Sequence, residues 1–429
     1  MSGFSYNAGI LYAEGVPLSR IAEAVGTPLY VYSASILTER FVRFRRAVDG
    51  LDALICYALK ANDTLAVVSL LNSLGAGADV VSAGELAIAR AAGVPPQRIV
   101  FAGVGKTRAE MEAGLAAGIL QFNVESLPEL EALDAVGRAM GRKAPVALRI
   151  NPDVDARTHV KITTGKSENK FGIGLDEAVA AAARASQMPG IEFTGLAVHI
   201  GSQLTDIEPF RRAFTKVVEL ALSLRATGVP LKRLDLGGGL GLSYAEEAPP
   251  TPEAYASMVK EVTSPLGLPL IFEPGRHLVG EAGLLLTRVL YVKQGASRRF
   301  LVVDAGMNDL IRPTLYDAYH AILPVKEPAE DAASERVDVV GPLCESGDIF
   351  AEQRPLPPIS AGDLLAIGAA GAYGSVMSSS YNARPPAAEV MVKDDCFEVV
   401  RPRASIEDLI ARDRLPSWLA APTMLRSSA

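Results

Sequence analysis

Leu54-Ile55-Cys56-Tyr57-Ala58-Leu59-Lys60-Ala61-Asn62 carries a mostly apolar run straight into a lysine, and helical spacing begins just beyond it at Leu65, Val68 and Leu71. The run reads as a buried strand. Lysine is among the residues least often buried. An ammonium at the end of such a strand is dehydrated, which favours the neutral amine and makes Lys60 a candidate to condense with a carbonyl cofactor. Taken alone, the stretch also fits a lysine that leaves the core and reaches into water.

Working outward, the pattern repeats. Short buried runs occupy residues 54–59, 78–81, 98–101, 120–124, 146–150, 193–199, 234–236 and 268–272, separated by Ala- and Leu-rich helical stretches such as 85–92 and 210–226. Eight such units in about 230 residues fit an α/β fold of the (β/α)8 TIM-barrel type. The runs end in Lys60, Ser82 with Gly84-Glu85, Gly103, Glu125-Ser126, Asn151-Pro152, His199-Ile200-Gly201-Ser202, Gly237-Gly238-Gly239 and Glu273-Pro274-Gly275-Arg276. In a barrel those ends gather on one face, where active sites are built.

After Gly283 helical spacing gives way to strands at 284–293, 300–304, 337–340, 364–367, 389–393 and 397–400, with Gly and Pro turns between them. These predict a mostly antiparallel β-sandwich or β-barrel domain, which the short run around Tyr30 can join. The expected organisation is a barrel over residues 35–283 and a discontinuous β-domain made of 1–34 and 284–429. A helix over 405–412 closes the pattern. The polar loop 153–170 and the acidic connection 326–336 have lengths typical of functional or disordered loops.

The bulk properties narrow the function. A chain of 429 residues accommodates two domains, and 49% hydrophobic with 21% charged residues is a globular composition. A net charge of −7 argues against nucleic acid or an anionic membrane as a partner. The basic cluster Arg40, Arg43, Arg45 and Arg46 interleaves with Leu37, Phe41, Phe44 and Val48 and reads as the solvated face of a helix. Three cysteines without metal-ligand spacing suit a reducing cytoplasm, and no secretory or membrane-spanning pattern is expected. No metal site is expected either: the four histidines include no i, i+4 pair.

Several groups at the expected mouth have chemical potential. Gly237-Gly238-Gly239 lets backbone N–H groups approach an anion such as phosphate, although a tight turn reads the same way. Glu273 could pair with a protonated heterocycle nitrogen and Arg276 with a carboxylate, or the two with each other. His199 could stack on a planar cofactor or be a satisfied core residue. In the second domain, Cys344-Glu345-Ser346-Gly347-Asp348 places a proton-delivering thiol beside a carboxylate. Arg312 and Tyr316 offer a cation and a hydroxyl, and Gly371-Ala372-Tyr373-Gly374 a phenol between glycines.

The ordered set Tyr57-Ala58-Leu59-Lys60-Ala61-Asn62, His199-Ile200-Gly201-Ser202-Gln203, Gly237-Gly238-Gly239, Glu273-Pro274-Gly275-Arg276, Cys344-Glu345-Ser346-Gly347-Asp348 and Gly371-Ala372-Tyr373-Gly374 resembles the diaminopimelate decarboxylases. These belong to the alanine-racemase-like group of pyridoxal 5'-phosphate (PLP) enzymes. The resemblance implies that Lys60 holds PLP covalently, His199 stacks on its ring and Glu273 keeps its ring nitrogen protonated. Ser202, Gly238, Gly239, Gly275, Arg276 and Tyr373 would hold the phosphate. It further implies a homodimer in which Cys344 protonates the substrate carbon across the subunit boundary. Glu345 would hold the far amino group, and Arg276, Arg312, Tyr316 and Tyr373 the far carboxylate. Lys170-Phe171-Gly172 matches the end of a mobile active-site loop; Arg157 and His159 have no assigned role. The implied reaction is decarboxylation of the small amino acid meso-2,6-diaminopimelate to L-lysine and carbon dioxide, the last step of lysine biosynthesis. Alternatives are a decarboxylase of another carboxylated diamine, of carboxynorspermidine or ornithine/arginine type, and a non-catalytic PLP-binding homologue.

Overall fold

The computed structural model describes residues 3–156, 164–165 and 170–419; Arg157, His159 and much of the 153–170 loop lie outside the described residues. Eight parallel strands close on themselves: Ala53–Ala58, Gly77–Val80, Ile99–Phe101, Gln121–Val124, Ala144–Asn151, Ile191–Val198, Arg233–Asp235 and Leu270–Phe272, the last pairing back to the first. The expected barrel is therefore present, each strand within a few residues of its predicted run.

Helices outside the barrel start where the sequence supplies caps. Ser82, Thr107, Ser126 and Thr251 each accept a backbone N–H three residues on, and Thr107 forms a reciprocal capping box with Glu110. The helix Ala34–Ala47 buries Leu37, Phe41 and Phe44, while Arg43, Arg45 and Arg46 face water as expected; Arg40 instead is half-buried and pairs with Glu281.

Side-chain alternation fills the barrel in layers. Cys56, Val100 and Ile271, with Leu54 and Leu120, form an apolar plug at one end. Polar residues come next, namely Asp79, Gln121, Asn123 and Asp235, all buried. The mouth lies beyond them. The barrel interior thus passes from oil to charge within a few residues.

The second sheet is built on the long strand Gly283–Gln294, which pairs antiparallel with Leu29–Ser33, Arg299–Val303 and Leu364–Ile367. The Tyr30 run lies between Gly283–Gln294 and Ala388–Lys393, parallel to the latter. The strand Ile349–Leu356 and the small amino-terminal sheet of Phe4–Asn7, Ile10–Ala13 and Val16–Pro17 are additional to the expected elements.

One buried cluster ties this sheet to the barrel beside Lys60. Glu389, 1% exposed, accepts hydrogen bonds from Tyr32 Oη (2.9 Å), Thr64 Oγ1 (2.5 Å) and Arg401 Nη1 (2.5 Å), and Arg401 Nη2 reaches Asp63 at 3.0 Å. Removing the shared acceptor takes a partner from two buried hydroxyls, those of Tyr32 and Thr64, and from the half-exposed Arg401 guanidinium. Glu389→Ala should lower the unfolding free energy by about 3 kcal/mol and Thr64→Val by about 1 kcal/mol, read from urea midpoints at constant slope.

Candidate functional site

Lys60 sits in a tight turn, Leu59–Ala61, directly after the first barrel strand. That turn is held from several sides. Tyr57 Oη donates to Asn62 O (2.8 Å), Asn62 Nδ2 donates to Gly371 O (3.0 Å), and Tyr373 N–H donates to Ala61 O (2.7 Å). The second domain therefore fixes where the lysine points.

Its Nζ lies 2.9 Å from Asp79 Oδ2, one strand over, with the Lys60 side chain 34% exposed and that of Asp79 fully buried. Burial works against the ammonium, but the Asp79 carboxylate hydrogen-bonded to it outweighs burial and holds Lys60 above its ordinary value. This corrects the expectation of a dry, neutral amine: a carboxylate invisible in the local sequence keeps it charged.

Lys60, Asn123, Arg149, His199, Asp235 and Glu273 line one cavity at the barrel mouth. The His199 pKa is pushed well down by burial and by the Arg149 and Lys60 cations, so its ring is neutral. Its Nδ1 accepts the Gly238 N–H at 3.3 Å, which leaves the remaining proton on Nε2. Arg149 pairs with Glu125 at 2.8 Å, donates to His199 O at 3.2 Å and lies over the Phe171 ring. Burial first, then the charges of Asp235 and Asp79, hold the Glu273 carboxyl well above the usual range.

The glycine turn leaves no room for side chains. A Cβ on Gly238 would fall 2.1 Å from Glu273 O, and one on Gly239, at φ +113°, 2.6 Å from Gly201 O. Gly275 packs close against Ala58 and Ala61. Arg276 donates to Ser202 Oγ (3.3 Å) and to Tyr244 Oη (2.6 Å), and its guanidinium lies over Tyr373. Glu273 and Arg276 thus find separate partners.

A second cation stands close by. Arg312, 5% exposed, lies over the Tyr244 ring and donates to His320 Nε2 at 2.9 Å. Burial, with Arg312 next to it, lowers the His320 pKa to about 3, so the ring is neutral, accepting at Nε2 and donating from Nδ1 to Gly368 O. Among the described residues, Arg312 Nε is buried with no hydrogen-bond partner. Tyr316 is half-buried on the same short helix, Arg312–Tyr316.

Cys344 and Glu345 are exposed and do not line the Lys60 cavity, whereas Asp348 is buried and caps the N–H groups of Met307 and Leu343. Asp79, Asn123, Arg149, Asp235 and Tyr244 were not among the expected site residues. The first four did leave a signal, each being a polar residue within one of the buried barrel strands. Tyr244, in a loop, left none.

The description "Pyridoxal-dependent decarboxylase, pyridoxal binding domain" fits residues 34–280 of the chain. The protein is thus one of the pyridoxal-dependent decarboxylases. Diaminopimelate decarboxylase of Zymomonas mobilis is 48% identical over 98% of this chain and 100% of its own, and that of Pseudomonas aeruginosa 49% identical over 97% and 99%. The crystal structure of diaminopimelate decarboxylase from Helicobacter pylori complexed with L-lysine superposes with a TM-score of 0.89 at 44% identity, covering 92% of this chain and 98% of that one. The chain belongs to the diaminopimelate decarboxylase family.

The residues present fit the family's PLP: an amine beside a flat neutral ring, a buried carboxyl, and a backbone cradle that any Cβ would fill. Gly238→Ala should weaken PLP binding to stripped protein tenfold or more, measured by equilibrium titration, because the new methyl collides with the Glu273 backbone.

Proposed function

We propose that the chain decarboxylates meso-2,6-diaminopimelate to L-lysine and carbon dioxide, with Lys60, His199 and Glu273 as the residues that meet the cofactor. The convergence of those three side chains on one cavity carries the reading. When bound, PLP supplies an electron sink for the pair of electrons left on the substrate carbon as carbon dioxide departs.

The protein's own residues do the rest. Lys60 presents the amine that condenses with the cofactor aldehyde, and Asp79 keeps it aimed. His199, neutral and flat, packs on the ring without competing for its charge. Glu273 holds the proton at the ring nitrogen. Ser202, Gly238, Gly239, Gly275, Arg276 and Tyr373 hold the phosphate. Specificity rests on the far end of the substrate. Arg312 has one buried N–H with no partner among the described residues, which suits a second carboxylate better than an amine. Arg276, Tyr316 and Tyr373 complete that end, and Glu345 meets the far amino group.

Cys344 returns a proton to the reacting carbon. Its exposure within one chain supports delivery from a second copy, so that the working unit is a homodimer with shared sites. The residue arrangement supports a substrate with carboxylates at both ends over ornithine or arginine.

These roles are open to three tests. Lys60→Ala should abolish the borohydride-reducible yellow colour and turnover of meso-diaminopimelate. Mixing Lys60→Ala with Cys344→Ala protein under conditions of demonstrated subunit exchange should restore part of the activity; no restoration contradicts a shared site. Asp79→Asn should let stripped protein take up PLP at lower pH, since only the free amine condenses and Asp79 now holds it as ammonium. An unchanged uptake profile would show that Asp79 does not control the amine.

A further inference from the structure

Asp235 closes the seventh barrel strand, is fully buried and has no role so far. Its Oδ1 accepts the Gly237 N–H at 2.9 Å. Its Oδ2 accepts from Asn123 Nδ2 at 2.9 Å and from Gln121 Nε2 at 3.3 Å. The same Asn123 amide nitrogen donates to Glu273 Oε1 at 3.1 Å. One NH2 group therefore bridges two buried carboxyls.

Two carboxyls this close cannot both ionise readily, and they titrate as a pair sharing a proton. Burial raises both. The N–H donors around Asp235 favour its anion, and its charge in turn raises Glu273. The proton belongs on Glu273 and the charge on Asp235. The other titratable groups facing the pair leave this unchanged: Lys60 is matched by Asp79, Arg149 by Glu125, His199 is neutral, and buried Cys56 and Tyr255 are pushed up and stay protonated.

We propose that Asp235 and Asn123 are positioning residues for Glu273: Asn123 anchors its carboxyl through the shared amide, and the buried negative charge of Asp235 keeps a proton on the link between Glu273 and the cofactor's ring nitrogen. The inference rests on the reading that Glu273 meets that nitrogen. Asp235 acts one step removed, as a charge set behind the group that touches the ring. A purely structural Asp235 would hold the Gly237 turn and the Asn123 and Gln121 amides, and its loss would leave the ring nitrogen's proton affinity where it is.

The test is a double-mutant cycle on the holoenzyme with Asp235→Asn, Glu273→Gln and the two combined. Three quantities are read: kcat and KM for meso-diaminopimelate, PLP affinity by titration of stripped protein, and the pH midpoint of the bound cofactor's visible absorption change. Asp235→Asn should lower kcat about tenfold, the scale of one charge-assisted contact, with KM changed less than about twofold. It should also move the spectral midpoint to lower pH. In the Glu273→Gln background it should add almost nothing. An equal loss in both backgrounds, or an unmoved spectral midpoint, overturns the proposal. If Glu273→Gln itself leaves affinity and spectrum untouched, the reading of Glu273 fails and the proposal with it, which the single variant reveals on its own. Should Asp235→Asn not fold, as judged by circular dichroism, Asn123→Ser takes its place in the cycle: loss confined to the Glu273 background supports the proposal, and equal loss in both overturns it.

Discussion

Everything at this site depends on what a closed parallel barrel does to alternate side chains. Each strand sends every second residue into a space with no solvent, so a polar residue there must find a partner across the barrel rather than along its own strand. The interior meets that demand in tiers. An apolar plug of Cys56, Val100 and Ile271 seals one end, Asp79, Gln121, Asn123 and Asp235 form a polar floor, and the reactive groups stand above it. The site is the place where the fold stops excluding charge and begins to pair it.

Charge pairing then sorts those groups by task. Lys60 with Asp79 and Arg149 with Glu125 each bring together one cation and one anion. The pair Asp235 and Glu273 has no dedicated cation and is joined by an amide instead. That imbalance fits the proposed placement of a protonated heterocycle nitrogen beside Glu273, where the cofactor would bring the missing positive charge. The second domain contributes the backbone groups of Tyr373 and Gly371, which grip the turn around Lys60, and the Glu389 carboxylate, which accepts from Thr64 just beyond it.

Much of this is legible in the sequence because strands buried on both faces leave near-continuous apolar runs. The eight runs and the polar residues at their ends are enough to put Lys60, His199 and Glu273 on one rim. The strand Ile349–Leu356 escapes such reading because it edges its sheet and carries Glu352, Gln353, Arg354 and Pro355, residues an edge tolerates and a propensity argument rejects. The charge state of Lys60 is hidden for a different reason. Its partner Asp79 is 19 residues distant along the chain, on a neighbouring strand, and pairing across strands is set by register rather than by local pattern. Tyr244 and His320, which frame Arg276 and Arg312, lie in connections with no periodic signal.

One nitrogen, Nζ of Lys60, decides whether the barrel mouth works as described. Reducing the holoenzyme with borohydride, digesting it and mapping the fragments by mass spectrometry asks directly where the cofactor is attached. The pyridoxyl mass is predicted on the peptide that contains Lys60 and on no other. Finding it on a different lysine, the buried Lys106 for example, or on none at all, would contradict the central claim.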